Sequence, residues 1–475
     1  MGRGTADPVD AGPRDGDGSR FDAIVIGGGS GGLAFAKRAA SEGARVAIIE
    51  KDALGGTCVN RGCVPKKLLW HVAHARREED ALVESGHLVS PPLLDFAHVR
   101  DRVRAHIETI RESFVGALDE AGAVLFRGRA ELGERKGGEW TVRCGPRVLR
   151  TGRVVLATGS YPVPPEDDLP GRELIELSDD VFDWREVPER LLIAGGGYIG
   201  VEFATIFSGL GTEVTVIDAG DEILEGFDRD AITHVRRHLE RDGVTLRTGV
   251  TLGGVEEGEE GLVATLDDGS TVTCDHILYA IGREPRLEWL GEVVEELERA
   301  DSGALAVSDD FETSRRGIYA VGDAADRMPL TPVAKRDGQW LADRMFGAGE
   351  MTKLDLDLVA TVAFTDPPVA QIGAVEAGDG TADGLAVAAD TVSPLLNGLM
   401  QQSNRPAGEG DHETDFHKLL TDGEGGPLRG IVLVADGAAD QIGWAATLIA
   451  GGVPVSALSR PAAVHPSFSE EMIGS

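Results

Sequence analysis

The chain has 475 residues, with 46 Lys and Arg against 80 Asp and Glu, so its formal net charge is −34. This charge excludes nucleic acid as a general partner and disfavours docking on anionic membranes, because phosphate groups attract a basic surface. Only eight of the cations are Lys, and an acidic composition this poor in Lys is typical of a halophile's cytoplasmic protein. Four cysteines are too few for a disulfide framework and indicate a reducing compartment.

The first 20 residues are rich in Gly, Pro and Asp and lack an apolar core. We therefore expect a disordered tail in this segment and no targeting signal. No run of about 18 apolar residues occurs in the sequence, which predicts that no helix crosses a membrane.

The first chemistry-bearing pattern is a glycine cluster between an apolar strand and a helix. Gly27, Gly29 and Gly32 satisfy GxGxxG, and Ser30 lies between them. Glycines at these places let the backbone approach a pyrophosphate, whose charge meets the N-terminus of the next helix. Glu50 ends the following strand, where a carboxylate can bind a ribose hydroxyl. This arrangement predicts a dinucleotide site.

The same pattern returns about 168 residues later. Its glycines are Gly195, Gly197 and Gly200, with Tyr198 and Ile199 between them and Asp218 at the end of the next strand. Two copies predict two nucleotide-binding units in an α/β architecture.

Cys58 and Cys63 stand five residues apart in the run Cys-Val-Asn-Arg-Gly-Cys. A zinc site would need two further ligands, and the other cysteines are distant, so we predict no metal site. Positions five apart in a regular helix have Cα atoms roughly 8–9 Å apart, beyond the ~7 Å that a disulfide spans. The segment must therefore distort, which Gly62 and Pro65 allow.

The chemistry of this segment favours thiolate formation. The start of a helix, with Lys66 and Lys67 beside it, should lower the pKa of a cysteine thiol. We therefore predict a redox-active disulfide between Cys58 and Cys63.

The segment 55–67, together with Trp70, resembles the active-site segment of the glutathione reductases. These enzymes belong to the pyridine nucleotide–disulfide oxidoreductases. The likeness extends over residues 21–475 and includes five more segments in order: 157–159, 280–283, 317–323, 330–334 and 465–471.

The resemblance implies FAD in the first nucleotide site and a nicotinamide cofactor in the second. Lys66 is expected to pair with Glu202 beside the flavin, and Tyr198 to cover the nicotinamide pocket. Beyond the glycines, Ser30 and Glu50, the FAD residues implied by the resemblance are Thr57, Thr158, Gly159, Asp323 and Thr331. In the nicotinamide site, Gly282 and Arg283 are added to the second glycine motif and Asp218.

The resemblance also implies a homodimer whose active site is shared between subunits. His465 and Glu470 would form an acid–base pair that reaches the Cys pair of the other subunit. His465 suits this role because a departing thiolate must be protonated near neutral pH. Cys63 would face the flavin, and Cys58 would attack the substrate disulfide.

The expected fold is α/β, with two Rossmann-like dinucleotide-binding domains and a C-terminal α+β dimerisation domain. After a tail at 1–20, we expect the FAD-binding domain in two parts, at 21–160 and 286–350. The nicotinamide domain lies between them at 161–285, and the dimerisation domain follows at 351–475.

Two departures from glutathione reductases bear on specificity. Relatives that use NADPH carry Arg after the second strand, but here Asp218 is followed by Ala219, and a later Arg position holds Glu225. Because a carboxylate repels the 2′-phosphate, we predict NADH over NADPH.

The second departure concerns the substrate pocket. Ser30 is kept, but the positions that hold substrate through Arg and Tyr in glutathione reductases carry Lys37, Phe114 and Gln339. A disulfide without the glycine carboxylate, such as bis-γ-glutamylcystine, or glutathione amide disulfide, would suit this pocket. Adaptation to high salt or drift, with glutathione disulfide kept as substrate, would also explain these residues.

The main alternative is dihydrolipoamide dehydrogenase, which uses NAD and the same Cys spacing. Asp218 favours it, whereas Val59, Val64 and the Lys66-Lys67 pair favour the glutathione reductase side. Mercuric reductase and large thioredoxin reductase are disfavoured because no Cys pair lies near the end of the chain. A flavoprotein with only an electron-carrying or structural role remains the non-enzymatic alternative.

Overall fold

The computed structural model describes residues 20–90, 94–378, 382–392, 415–458 and 460–461. The chain forms two compact units. The first comprises Met1–Lys66, Asp101–Pro162 and Arg283–Leu354, and the second comprises Lys67–Arg100, Val163–Gly282 and Asp355–Ser475. Residues Lys67–Arg100, which the sequence analysis assigned to the FAD-binding domain, belong to the second unit. The predicted domain boundaries at 160, 285 and 350 stay predictions.

The strands in the described residues are, in chain order, β1 (Arg20–Phe21), β2 (Ala23–Ile26), β3 (Val46–Glu50), β4 (Val124–Arg127), β5 (Ala130–Lys136), β6 (Glu139–Cys144), β7 (Arg147–Thr151), β8 (Val154–Leu156), β9 (Ser160–Pro162), β10 (Glu176–Leu177), β11 (Arg190–Ala194), β12 (Glu213–Asp218), β13 (Thr245–Thr248), β14 (Leu252–Gly258), β15 (Gly261–Leu266), β16 (Thr271–Cys274), β17 (His276–Tyr279), β18 (Arg283–Pro285), β19 (Ile318–Ala320), β20 (Thr361–Ala363), β21 (Val369–Gly373), β22 (Ala386–Val392), β23 (Asp415–Thr421) and β24 (Leu428–Val434). The α-helices are α1 (Ser30–Ser41), α2 (Gly56–Asn60), α3 (Cys63–Glu84), α4 (Phe96–Ala121), α5 (Tyr198–Gly209), α6 (Arg229–Arg241), α7 (Glu292–Glu295), α8 (Thr331–Phe346) and α9 (Ala438–Ala450).

The first unit is built on a five-stranded parallel sheet in the order β19-β8-β2-β3-β4. Strand β2 is apolar throughout because both faces of this sheet are covered. Ile24 and Ile26 pack into one apolar cluster, whereas Ala23 and Val25 pack into another. The alternation of side chains along a strand thus fixes β2 at the centre of the unit.

Helices α1 and α8 of the first unit pack closely against each other. A Cβ atom built on Gly338 would lie 2.3 Å from the carbonyl oxygen of Gly31. This approach requires glycine, and it places the middle of α8 next to the start of α1. A second sheet in this unit has the order β1-β7-β6-β5, and β9 pairs with β18.

The second unit repeats the parallel arrangement in the order β10-β17-β11-β12-β13. Leu191 and Ile193 of β11 pack into one cluster, and Leu192 and Ala194 pack into another. An antiparallel sheet, β14-β15-β16, adds to this part.

The C-terminal part of the second unit is an antiparallel sheet in the order β20-β21-β24-β23-β22. Ile442 and Ala445 of α9 pack into an apolar cluster with strands β21 and β24 of this sheet. The expected α/β fold with a C-terminal α+β domain is confirmed. Among the described residues, no helix is long and apolar enough to span a membrane.

Candidate active site

The first glycine motif forms a tight turn between β2 and α1. Gly27 has φ +109°, and a Cβ there would lie 2.1 Å from the carbonyl oxygen of Ala157. A Cβ on Gly32 would lie 2.0 Å from the carbonyl oxygen of Gly27. Helix α1 begins at Ser30 with no side-chain cap on its N-terminus. The turn therefore presents bare backbone and a helix N-terminus, which suit a pyrophosphate.

Glu50 ties the end of β3 to this motif. Its carboxylate accepts hydrogen bonds from the backbone N–H of Gly28 at 2.6 Å and of Asp52 at 2.8 Å. Glu50 thus holds the glycine turn in position. It also lies at the place where an acidic residue binds a ribose hydroxyl in folds of this kind.

Two polar groups nearby test whether FAD fits this unit. The Thr158 hydroxyl is buried and has no hydrogen-bond partner within the described part of the chain. An orphaned buried hydroxyl is costly unless a ligand satisfies it. The Asp323 carboxylate accepts a hydrogen bond from the Ser160 hydroxyl at 2.6 Å. Together with the bare glycine turn, these groups fit a bound dinucleotide.

The second glycine motif repeats the first in detail. Gly195 has φ +118°. A Cβ atom built on Gly200 would lie 1.8 Å from the carbonyl oxygen of Gly195. The Asp218 carboxylate accepts from the backbone N–H of Gly196 at 2.5 Å, as Glu50 does from Gly28. Around this turn, Gly197 is the N-cap residue of α5, Tyr198 at its start is 46% exposed, and Ile199 is half-buried.

The cysteine segment divides into two helices. Cys58 lies in α2 and Cys63 begins α3, with the break at Arg61 and Gly62. Arg61 leaves the helical region with φ −148°. A Cβ on Gly62 would lie only 3.0 Å from the carbonyl oxygen of Thr57. The distortion expected from the five-residue spacing is therefore present.

Cys58 and Cys63 both belong to the first unit, and their side chains are hydrogen-bonded to each other. The Cys63 Sγ lies 3.9 Å from the Thr331 hydroxyl at the start of α8. The pKa of the Cys58 thiol is raised, chiefly by a hydrogen bond with the Cys63 side chain and then by burial. Thr331 and Lys66 lower the pKa of Cys58, but their effects are smaller than those that raise it. The expected lowering of the thiol pKa is therefore wrong for Cys58, because local helix reasoning omitted the neighbouring thiol.

Lys66 and Glu202 are both buried, at 8% and 5% exposure, and they belong to different units. Glu202 on α5 accepts a hydrogen bond from the Phe364 N–H at 2.9 Å. The expected pairing of Lys66 with Glu202 stays a prediction.

Arg283 belongs to the first unit, although the sequence assigned it to the nicotinamide site. Its guanidinium donates to the Ser160 hydroxyl at 3.0 Å and to the Thr57 hydroxyl at 3.3 Å. Arg283 thus links the strand that carries Ser160 to the start of the cysteine segment. Gly159 and Gly282 both have positive φ, at +69° and +150°.

The candidate substrate residues lie on three helices of the first unit. Lys37 is on α1 and Gln339 is on α8, and both are half-buried. Phe114 on α4 packs against the apolar cluster of that unit. Their contact with a substrate stays a prediction. His465 and Glu470 lie outside the described residues.

One contact beside the cysteines was not predicted. Asn60, at the end of α2, accepts a hydrogen bond from the Nε of Arg111 at 2.7 Å. The residues are 51 positions apart, so no local pattern connects them. An arginine on a surface helix is too common a feature for the sequence to have indicated this contact.

Comparisons with known proteins agree with this geometry. Residues 21–338 match the pyridine nucleotide-disulphide oxidoreductase family, and residues 359–474 match its dimerisation domain. A glutathione reductase of Nostoc sp. is 33% identical over 95% of this chain and 98% of its own length. A glutathione reductase of Burkholderia cepacia is 34% identical with the same coverage.

A dihydrolipoyl dehydrogenase of Haloferax volcanii is 31% identical over 95% of this chain and 94% of its own length. Both kinds of relative therefore resemble the chain over nearly all of it. The glycine turns, the orphaned Thr158 hydroxyl and the adjoining thiols are the features that the family match explains. The chain belongs to the pyridine nucleotide-disulphide oxidoreductase family.

Proposed function

We propose that this chain is an FAD-dependent, NAD(P)H-linked reductase of a low-molecular-weight disulfide of the glutathione type. The family is FAD-dependent and uses NAD(P)H. The observation that carries the proposal is the hydrogen-bonded thiol pair, Cys58 and Cys63, in the same unit as the first glycine motif. Candidate substrates are glutathione disulfide and bis-γ-glutamylcystine.

FAD held by the first glycine motif, Glu50, Thr158 and Asp323 would supply two-electron transfer between the nicotinamide and the Cys58–Cys63 disulfide. The reduced Cys58 then attacks one sulfur of the substrate. A bond forms between Cys58 and that sulfur, the substrate disulfide breaks, and the other substrate sulfur leaves with a proton. Cys63 next attacks Cys58, which re-forms the protein disulfide and releases the second thiol.

The raised pKa of Cys58 means that this attack needs a base. We assign that role to His465, oriented by Glu470, from the partner subunit of a homodimer. The same histidine then gives this proton to the departing thiolate. The match of residues 359–474 to the family's dimerisation domain supports a homodimer.

We further propose NADH as the preferred cofactor. The loop after Asp218 is held against the second glycine motif, because the Leu224 N–H donates to the Gly196 carbonyl oxygen at 2.8 Å. Leu224 adopts φ +52°, a conformation that non-glycine residues rarely take. The loop carries exposed Glu225, so a 2′-phosphate would meet a carboxylate there, whereas Glu222 is paired with Arg236 at 2.6 Å.

The second candidate function is dihydrolipoyl dehydrogenase. It is favoured by Asp218 at the ribose position and by relatives of that name at 30–31% identity. The substrate itself separates the two candidates, because glutathione-type disulfides carry carboxylates and lipoamide carries none.

The experiment compares glutathione disulfide, bis-γ-glutamylcystine and lipoamide with NADH and NADPH, in molar salt to suit the acidic chain. We expect the highest kcat/KM for a carboxylated disulfide with NADH. Cys58→Ser should abolish disulfide reduction, whereas Cys144→Ser should keep it, because Cys144 lies on β6. Full disulfide reduction by Cys58→Ser, or activity on lipoamide alone, would contradict the proposal.

A further inference from the structure

Arg327 and Asp337 form an ion pair with two hydrogen bonds inside the first unit. The Arg327 Nε donates to one carboxylate oxygen of Asp337 at 3.2 Å, and its Nη2 donates to the other at 3.2 Å. The side chains are 15% and 1% exposed, respectively. Burial raises the pKa of Asp337, and the Arg327 guanidinium is the main group that opposes this rise. Because a buried carboxylate without a partner is costly, each side chain holds the other in place.

The pair joins a loop to the helix that follows it. Arg327 lies in the loop that leads from Asp323 into α8, and Asp337 lies within α8. Gly338, the next residue, is the point at which α8 lies against α1. The ion pair therefore ties the loop to the part of α8 that its contact with α1 already holds.

An aromatic contact fixes the other side of the guanidinium. The central carbon of the Arg327 guanidinium lies 5.2 Å from the ring centroid of Phe311, which is 1% exposed. The Phe311 ring meets the Trp340 ring of α8 nearly edge-on, with centroids 5.6 Å apart. Arg327 is thus held between Asp337 and Phe311, and both of these contacts lead back to α8.

The first residue of α8 contacts the redox pair. The Thr331 hydroxyl lies 3.9 Å from the Cys63 Sγ, and its hydrogen bond to Cys58 lowers the pKa of that thiol. The N-cap residue, Leu330, has no polar side chain with which to fix the start of the helix. Thr331 and Asp337 are six residues apart, or about 9 Å along the helix axis. The ion pair can therefore act on the Thr331 hydroxyl only through the backbone.

We propose that Arg327 and Asp337 are positioning residues for the thiol pair, because their double hydrogen bond sets the start of α8 and keeps the Thr331 hydroxyl beside both sulfurs. Without the ion pair the hydroxyl moves away, and a thiolate at Cys58 loses a hydrogen bond that favours it. The inference deepens the proposed function and rests on it only for the turnover measurement.

The test follows the rate at which iodoacetamide alkylates the reduced protein, as a function of pH. In Asp337→Asn and in Arg327→Gln, the midpoint of the profile should rise by about half a pH unit or more, which is roughly a threefold loss of thiolate at fixed pH. With the preferred disulfide, kcat should fall by a similar factor while KM is unchanged. Arg327→Lys should recover part of the loss in Arg327→Gln.

A double-mutant comparison tests whether the pair acts through Thr331. Thr331→Ala should raise the midpoint as Asp337→Asn does, and the two substitutions together should raise it no further. Additive shifts would overturn the inference. Arg327 is less buried than Asp337, so Arg327→Gln and its double variant with Thr331→Ala decide the question if Asp337→Asn does not fold.

Asp343→Asn is the matched control. Asp343 lies on the same helix, its side chain is 3% exposed, and it pairs with Arg38 at 2.7 Å. This variant should lose stability in urea as Asp337→Asn does, but its alkylation profile should match that of the parent. An equal shift in both variants would show general loosening of α8 and would overturn the inference.

Two further outcomes bear on the inference alone. Opposite shifts in Arg327→Gln and Asp337→Asn would show that the two charges act on the thiols through space, and unchanged profiles would show that the pair only stabilises the fold. Either outcome would overturn the inference while the proposed function stands. A parent enzyme that reduces none of the candidate disulfides would overturn the proposed function, and the alkylation profiles would still decide the inference.

Discussion

Lys418 and Asp228 form an ion pair at 3.0 Å in which both side chains are fully buried. Lys418 lies on β23, and Asp228 caps α6 by accepting a hydrogen bond from the Asp230 N–H. Asp230 and Glu376 also bind the ammonium group. Burial alone would lower the pKa of Lys418, but hydrogen bonds to the three carboxylates raise it above its ordinary value. The amine is therefore charged and joins α6 to the antiparallel sheet.

We predict that Lys418→Met destabilises the protein by roughly 3–5 kcal/mol, because it leaves Asp228 buried without its partner. Urea denaturation at constant high salt measures the free energy of unfolding. Lys136→Met is the control, since Lys136 and its partner Glu134 are largely exposed and should matter far less. Equal effects of the two substitutions would contradict the importance of the buried pair.

His238 makes stability depend on pH. Burial, then Arg241 and His234, lower its pKa to about 4, whereas Asp366 raises it slightly. The unfolded chain binds a proton to this residue near its ordinary pKa of about 6.5, but the folded chain does not. Stability is therefore fully present above about 6.5 and is lost as the pH falls toward about 4.

We expect protonation of His238 in the unfolded chain to lower the free energy of unfolding by about 2 kcal/mol between roughly pH 7 and pH 5. In His238→Gln that part of the pH dependence should disappear from urea unfolding curves. His98→Gln, at an exposed histidine, should keep the parent's dependence. If all three proteins showed the same slope, His238 would not be the group responsible.

A substitution at Gly32 tests whether the first glycine motif binds FAD. A Cβ at this position meets the Gly27 carbonyl oxygen, which is held in the turn and cannot retreat. Gly32→Ala should therefore weaken FAD binding strongly, as measured by flavin absorbance per chain and by the dissociation constant of added FAD. Gly116 lies in α4 with open space around it, so Gly116→Ala should keep FAD and gain up to about 1 kcal/mol. Normal FAD content in Gly32→Ala would refute this assignment.

The cofactor preference can be tested by reversing charge. Ala219 and Glu225 are exposed at the ends of the loop that follows Asp218. The double variant Ala219→Arg/Glu225→Arg should raise kcat/KM for NADPH about tenfold, because arginine binds phosphate strongly. Glu259→Arg places a cation on a remote exposed site and should leave the NADPH to NADH ratio unchanged. A parent protein that prefers NADPH would refute the prediction directly.

Much of the first site could be predicted because its parts are local. A strand, a glycine turn, a helix and a terminal acid occupy fixed spacings, and their covalent connection forces Glu50 back onto Gly28. The same spacing explains why the Asp218 carboxylate accepts a hydrogen bond from the Gly196 N–H. The break in the cysteine segment likewise follows from the geometry of a regular helix.

The thiol chemistry shows where local reasoning fails. The helix start and the nearby lysines predicted a lowered pKa, but the partner thiol dominates in the folded chain, so the pKa of Cys58 is raised. Contact between two side chains depends on rotamers and packing, which spacing alone does not specify.

The sequence by itself determined the fold class, the two nucleotide-binding motifs and the cysteine couple, because each depends on residues close together along the chain. Only the tertiary structure decided that the Thr158 hydroxyl has no hydrogen-bond partner among the described residues, that Arg111 contacts Asn60, and that Lys418 meets Asp228 190 residues away. These relations arise from long-range packing, and no periodicity in the sequence encodes which distant side chains will meet.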